Sequence, residues 1–259
     1  MLEEYKIGET VAANKYVFEE RDIEENDSVY NRIYGKSFQD NEYVSLKDLT
    51  YVRLLHYGYD GKVKVGELII HKAILEETRE VFSKLFEEKY QINSMRLIDD
   101  FWVSGDTDKT DRNSVLNNNS SSFCFRSIVG KGNLSNHALG IAFDINPLSN
   151  HALGIAFDIN PLSNPYTPRN SDGTFDVSLL FEYEKSALID RKEKAKSDPH
   201  IITLGDQICC AFDSVGFECG GIWPQQSTLW SCDWQHFEPN ASKITQVMER
   251  VNRIHEMKN

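Results

Sequence analysis

Two rhythms of apolar and polar positions run along this chain, and they mark out its elements. "KVKVGELII" (62–70) alternates in steps of two, as a half-buried strand does. "KAILEETREVFSKLFEEKY" then sets Ile74, Leu75, Val81, Phe82, Leu85 and Phe86 on one helical face. Before them, "SLKDLTYVRLLHYGY" opens with Ser45 and Asp48 at the spacing of a helix cap, and the compact part of the chain is expected to begin there. "INSMRLID" reads as a further strand, and the Asp-, Ser- and Asn-rich run from Ser104 to Ser122 reads as a loop.

"SFCFRSIVG" is strand-like. In "GIAFDIN", Ile141 and Phe143 fall on one side and Ala142 and Asp144 on the other, which aims a carboxylate off the face opposite the core. Residues 162–200 are mixed and charged, a surface excursion with a helix around "VSLLFEYEKSALIDRKEKA". "LGDQICCAFDSVGF" reads as a short amphipathic helix ended by Gly216. The tail "ASKITQVMERVNRIHEMK" lines up Ile244, Val247, Met248, Val251 and Ile254 as a longer one. Strands and helices mix without a βαβ rhythm, so the class is α+β. Three segments are expected: an N-terminal extension over 1–44, a domain over 45–240, and a C-terminal helix over 241–259 packed on that domain.

Composition narrows the function classes. A formal net charge of -12 argues against a nucleic-acid partner, because phosphates call for a basic surface. No apolar run approaches the roughly 18 residues of a spanning helix, so no membrane-spanning segment is expected. The start, "MLEEYKIGETVAANKY", is acidic and lacks an apolar core, so export by a signal peptide is expected only if that peptide has been removed. Cys124, Cys209, Cys210, Cys219 and Cys232 form no CxxC pairs and read as free thiols, mostly buried.

The strongest local feature is a repeat. "LSNHALGIAFDINP" occupies 134–147 and recurs without a mismatch at 148–161. Each copy holds a His and an Asp seven positions apart, His137 with Asp144 and His151 with Asp158. Far downstream, "CDWQHFEP" supplies His236 with Asp233 three positions before it. Two imidazoles and a carboxylate make a three-ligand zinc set with a fourth position left for water, and a second carboxylate is then needed to take a proton. His56, His71, His200 and His255 sit among ordinary helix, strand-end or loop residues and read as structural or surface histidines.

Together these motifs, with "NPY" at 164–166 and "GFECGGIW", resemble the VanY-like D-alanyl-D-alanine carboxypeptidase family of zinc peptidases. The relatives of that family include D,D-dipeptidases and L-alanyl-D-glutamate endopeptidases. The family pattern S-x-H-x-x-G-x-A-x-D matches Ser135 to Asp144 and again Ser149 to Asp158, and D-x-x-H-F-E matches Asp233 to Glu238. The upstream run from "VSLKDLTYVRLLHYGYDG" and the strand "SSFCFR" extend the likeness over about residues 44–240.

The resemblance implies a small antiparallel sheet with flanking helices around a single zinc site, a hedgehog-like fold. It implies Zn2+ held by His236 and one His/Asp pair, Asp233 as general base, and Arg126 on the oxyanion or a substrate carboxylate. Ser135, or Ser149, would fix the turn or touch substrate. The implied substrate is a peptidoglycan stem peptide, acted on at the cell wall by a monomer. Cys219 stands where the family usually has an aromatic, and Ile222 where an acidic residue is often found; both could alter the groove wall.

One zinc site needs one pair, and no second D-x-x-H exists, so two sites are rejected. The lead from Arg126 to His137 is short, as in the family, so His137 and Asp144 are the expected ligands, with His151 and Asp158 as the alternative. A zinc-binding module without chemistry, or a copy inactivated by the duplication, stays open beside the enzyme.

Overall fold

The run Leu49–Tyr57 has apolar or aromatic residues at most positions and buries nearly its whole length, which a nine-residue strand with both faces covered does. In the computed structural model it is strand β2, flanked by β1 (Phe18–Asp22) and β3 (Val63–His71) in one antiparallel sheet. The structure describes residues 2–126, 135–146, 157–159, 164, 166–168, 191–222, 231–240 and, within 242–250, all but 244 and 248.

The expected cap at Ser45 forms: Ser45 and Asp48 exchange a capping box. The helix it announces lasts only the 3-10 turn Leu46–Asp48, because β2 gains more from pairing along both edges than a helix would. The first residues join the same sheet. Gly8 N–H donates to the Val65 carbonyl at 2.8 Å, Val11 N–H to Val63 at 2.9 Å, and Leu2 is buried.

Downstream, α1 (Tyr30–Ile33) is one turn, and α2 (Leu75–Glu87) is the helix read from the pattern, burying Val81, Phe82, Leu85 and Phe86. Of "INSMRLID" only β4 (Ser94–Met95) is strand, paired in parallel with β5 (Asn119–Ser120). The expected loop 104–122 is corrected: it contains helix α3 (Thr107–Leu116). Asp106 caps it, its carboxylate accepting the Lys109 N–H at 2.9 Å. A well-capped helix on the surface needs little apolar face, which is why the polarity of this run misleads.

The remaining strands are short: β6 (Phe143–Ile145), β7 (Phe157–Ile159), β8 (Tyr166–Pro168), β9 (Phe217–Cys219), β10 (Ser231–Asp233) and β11 (His236–Pro239). They form a four-stranded sheet in the order β6-β7-β11-β9 and a separate β10-β8 pair. Helices α4 (Arg191–Lys194) and α5 (Gln207–Asp213) follow, and the described residues within 242–250 are helical; Asp206 caps α5, and Gly216 lies just past its end at φ 86°. The helix expected around 177–195 lies mostly outside the described residues.

One apolar cluster joins both sheets: Val52, Leu54 and Ile70 meet α2, Phe143 and Ile145 of β6, Ile159 of β7, and Phe212, Phe217 and Phe237. Val247 of the C-terminal segment is fully buried in it. The molecule is mixed α and β, with small sheets and few helices. No helix among the described residues is long and apolar enough to cross a membrane.

Candidate metal centre

The first copy of the repeat builds a turn and a strand. Ser135 opens the 3-10 turn Asn136–Leu139, its hydroxyl accepting the His137 N–H at 3.3 Å and its carbonyl the Ala138 N–H at 2.9 Å. Gly140 follows at φ 70°; a Cβ there would stand 2.9 Å from the His71 nitrogen, so the motif's glycine is required by close backbone approach. The chain then enters β6, where Phe143 and Ile145 are buried in the core and Asp144 points to the other face.

His137 is held from both sides. Its Nδ1 lies 2.5 Å from the Ser122 carbonyl, which only a protonated nitrogen can approach so closely, and this leaves Nε2 toward Asp144. The Nε2–Oδ2 distance is 3.5 Å. Ligands bound at roughly 2.0–2.2 Å around a tetrahedral zinc stand roughly 3.3–3.5 Å from each other, so this pair has the spacing of two co-ligands. A ligand imidazole whose other nitrogen donates to a backbone carbonyl is the usual supporting arrangement.

The two side chains also favour each other's charged forms. Burial works to raise the Asp144 carboxyl, but the His137 imidazole and the Arg126 charge outweigh it and hold the group below its usual value. Burial works to lower His137, and the Asp144 carboxylate overrides it and raises the imidazole. Arg126 is near enough to act on both groups, and its Nη2 is bridged to Asp111 at 3.1 Å. Asp111 comes from α3 and was missed in the sequence; the Asp106 cap was the signal that could have found it.

His236 opens β11 and is buried. Its partner across the ladder is Asp158, and Asp158 in turn pairs with Asp144. Asp144, Asp158 and His236 therefore stand at aligned positions on three neighbouring strands, with the second copy between the first copy and His236. Asp233 closes β10 opposite Tyr166. Ser149 and His151 lie outside the described residues. Among the described residues no three His, Cys, Asp or Glu side chains gather closely enough to hold a metal ion.

The other histidines are accounted for by local structure. His56 is fully buried and pushed down to about 4 by burial, so it is neutral. His71 Nδ1 accepts the Ala73 N–H at 3.0 Å, and His200 Nδ1 meets Asp198 at 3.0 Å. His255 lies outside the described residues. Cys124 and Cys219 are buried, Cys209 is half-buried and Cys210 is exposed; the Cys232 side chain lies outside the described residues. Near the site, a Cβ on Gly221 would meet the Trp234 ring at 2.7 Å, which explains the small residue after Cys219–Gly220.

Residues 146–239 match a family model described as D-alanyl-D-alanine carboxypeptidase. This stretch, a little over a third of the chain, is similar to that peptidase family. The family resemblance read from the motifs is thereby borne out here. The matched segment takes in the whole second copy, Asp233 and His236, and begins just after Asp144. No curated protein and no solved structure matches the chain.

Proposed function

We propose that this protein is a zinc-dependent peptidase that hydrolyses peptidoglycan stem peptides, most simply as a D-alanyl-D-alanine carboxypeptidase. The observation that carries the reading is the His137–Asp144 pair at co-ligand spacing, in a chain whose 146–239 stretch matches that family. Residues 45–240 form its catalytic domain, with the hedgehog-like architecture that goes with one zinc site.

The ligands are His236 and one His/Asp pair of the repeat, His137 with Asp144 or His151 with Asp158. Chemistry supplied by zinc when bound is a polarised substrate carbonyl and a water acidic enough to be deprotonated near neutral pH. Asp233 takes the proton of the attacking water and returns it to the leaving amine. Arg126, always charged and oriented by Asp111, stabilises the oxyanion or grips the terminal carboxylate of the substrate. Ser135 holds the turn that presents His137.

The test is incubation of the zinc-loaded chain with defined muropeptides, with products read by mass spectrometry. Release of one terminal D-Ala is expected. Release of the D-Ala-D-Ala dipeptide, or a cut between L-Ala and D-Glu, would reassign the bond within the peptidase class. One zinc bound per chain with no peptide cut would instead point to a binding module.

A further inference from the structure

The two copies of the repeat are identical in sequence, yet they attach to different parts of the molecule. The first faces upstream. Asp144 and Ser121 exchange backbone hydrogen bonds of 3.0 and 2.9 Å. Asn146 donates its N–H to the Ser120 hydroxyl, its side-chain amide to the Gln91 carbonyl, and accepts the Asn93 N–H. The Gly140 carbonyl accepts from His71 at 2.8 Å.

The second copy faces downstream. In β7, Asp158 and Phe157 pair with His236 and Phe237. Ile159 N–H donates to the Gln235 carbonyl at 2.8 Å, and the Asn164 amide donates to the Ile159 carbonyl at 3.0 Å. Between the copies, Phe143 meets Phe157, Asp144 meets Asp158, and Ile145 meets Ile159, so each residue pairs with its own duplicate.

A strand has two edges. Each copy spends one on the rest of the protein and the other on its twin. We propose that the repeat divides between two strands the two edges that a single strand would fill, and so parts His137 and Asp144 from His236, whose ladder partner is instead the second copy's Asp158. The half with His137, Asp144 and Arg126 stays with the upstream chain, and His236 lies one strand further away. Strands lie about 4.7–4.9 Å apart, so the inserted twin moves His236 to about 10 Å from the Asp144 backbone. Side chains standing on a sheet face meet readily across one spacing and poorly across two. A chain with a single copy would pair Asp144 directly with His236. The metal part of this inference rests on the zinc reading above; the strand part does not.

Because the copies are identical, deleting 134–147 or 148–161 gives the same single-copy chain. In the single-copy chain His137→Ala should weaken zinc binding, read by chelator competition, about ten-fold or more, the scale on which a metal site registers a lost partner. The effects of His137→Ala and His236→Ala on zinc binding should be coupled in the single-copy chain and independent in the full one, where the second copy lies between them. Coupling of the two substitutions as strong in the full chain as in the single-copy chain overturns the division of the site.

A second measurement needs no deletion and no metal. Hydrogen exchange of the full chain, resolved by residue, should show slow amides at both Asp144 and Ile159, since each bonds to a different part of the molecule. Protection at only one of them means that the copies do not share the sheet, and the proposal falls. If both are protected and neither chain binds zinc, the strand division stands and the zinc reading is what fails.

Discussion

An imidazole can bind a metal only through a nitrogen that keeps its lone pair, and at His137 the Ser122 carbonyl decides which one does. Roles of this kind depend on single atoms, so substitutions test them cleanly. Asp233→Asn should retain zinc and lose nearly all turnover; undiminished hydrolysis would remove Asp233 from the mechanism. Arg126→Ala should lower kcat/KM by about a hundred-fold or more, the usual cost of losing one such electrostatic partner, with zinc content unchanged. A change of only a few-fold would count against that role. His56 tests burial instead. Its folded value of about 4 lies below the unfolded value, so the unfolded chain takes up the proton first. Stability is full above about pH 6.5 and is lost as the pH falls toward 4, by up to about 3 kcal/mol. Urea midpoints at pH 7 and pH 4.5 should therefore differ less in His56→Gln than in the parent chain.

At the scale of elements, pattern found those whose burial is one-sided and missed those governed by caps or by pairing. α2 was legible because its buried residues recur at helical spacing. The strand β2 was disguised by a genuine capping box in front of it, and α3 by its polar surface. Asp106→Ala should cost about 1 kcal/mol of stability by removing the α3 cap, measured as a shifted urea midpoint. It should also reduce hydrolysis, because α3 carries the Asp111 that orients Arg126. An unchanged midpoint would mean that the cap contributes nothing. Gly140 was quoted in the motif, but the reason for it, a backbone contact with His71, joins segments far apart in the chain.

For the whole molecule, the described residues within 242–250 are tied to the centre. Glu77 on α2 binds Lys243 at 3.0 Å and Arg250 at 2.7 Å, while Val247 sits in the core. Burial works to raise the Glu77 carboxyl, and the two cations outweigh it and hold it below its usual value. The clamp is therefore present at neutral pH and weakens as the pH falls through the carboxylate range. Glu77→Gln should accelerate hydrogen exchange in residues 242–250 at pH 7 while leaving β2 protected. Unchanged exchange there would show that the apolar contact of Val247 holds the segment alone.

The sequence by itself determined the inventory: an α+β chain, the helix α2, the strand β3, the repeated His/Asp motif, and the downstream D-x-x-H. These are set by local periodicity and by residue type, which travel with the chain wherever it folds. Only the tertiary structure decided which strand lies beside which, and that could not be read from two identical copies. Their local preferences are the same, and only the partners on their outer edges, Ser121 for one and His236 for the other, tell them apart.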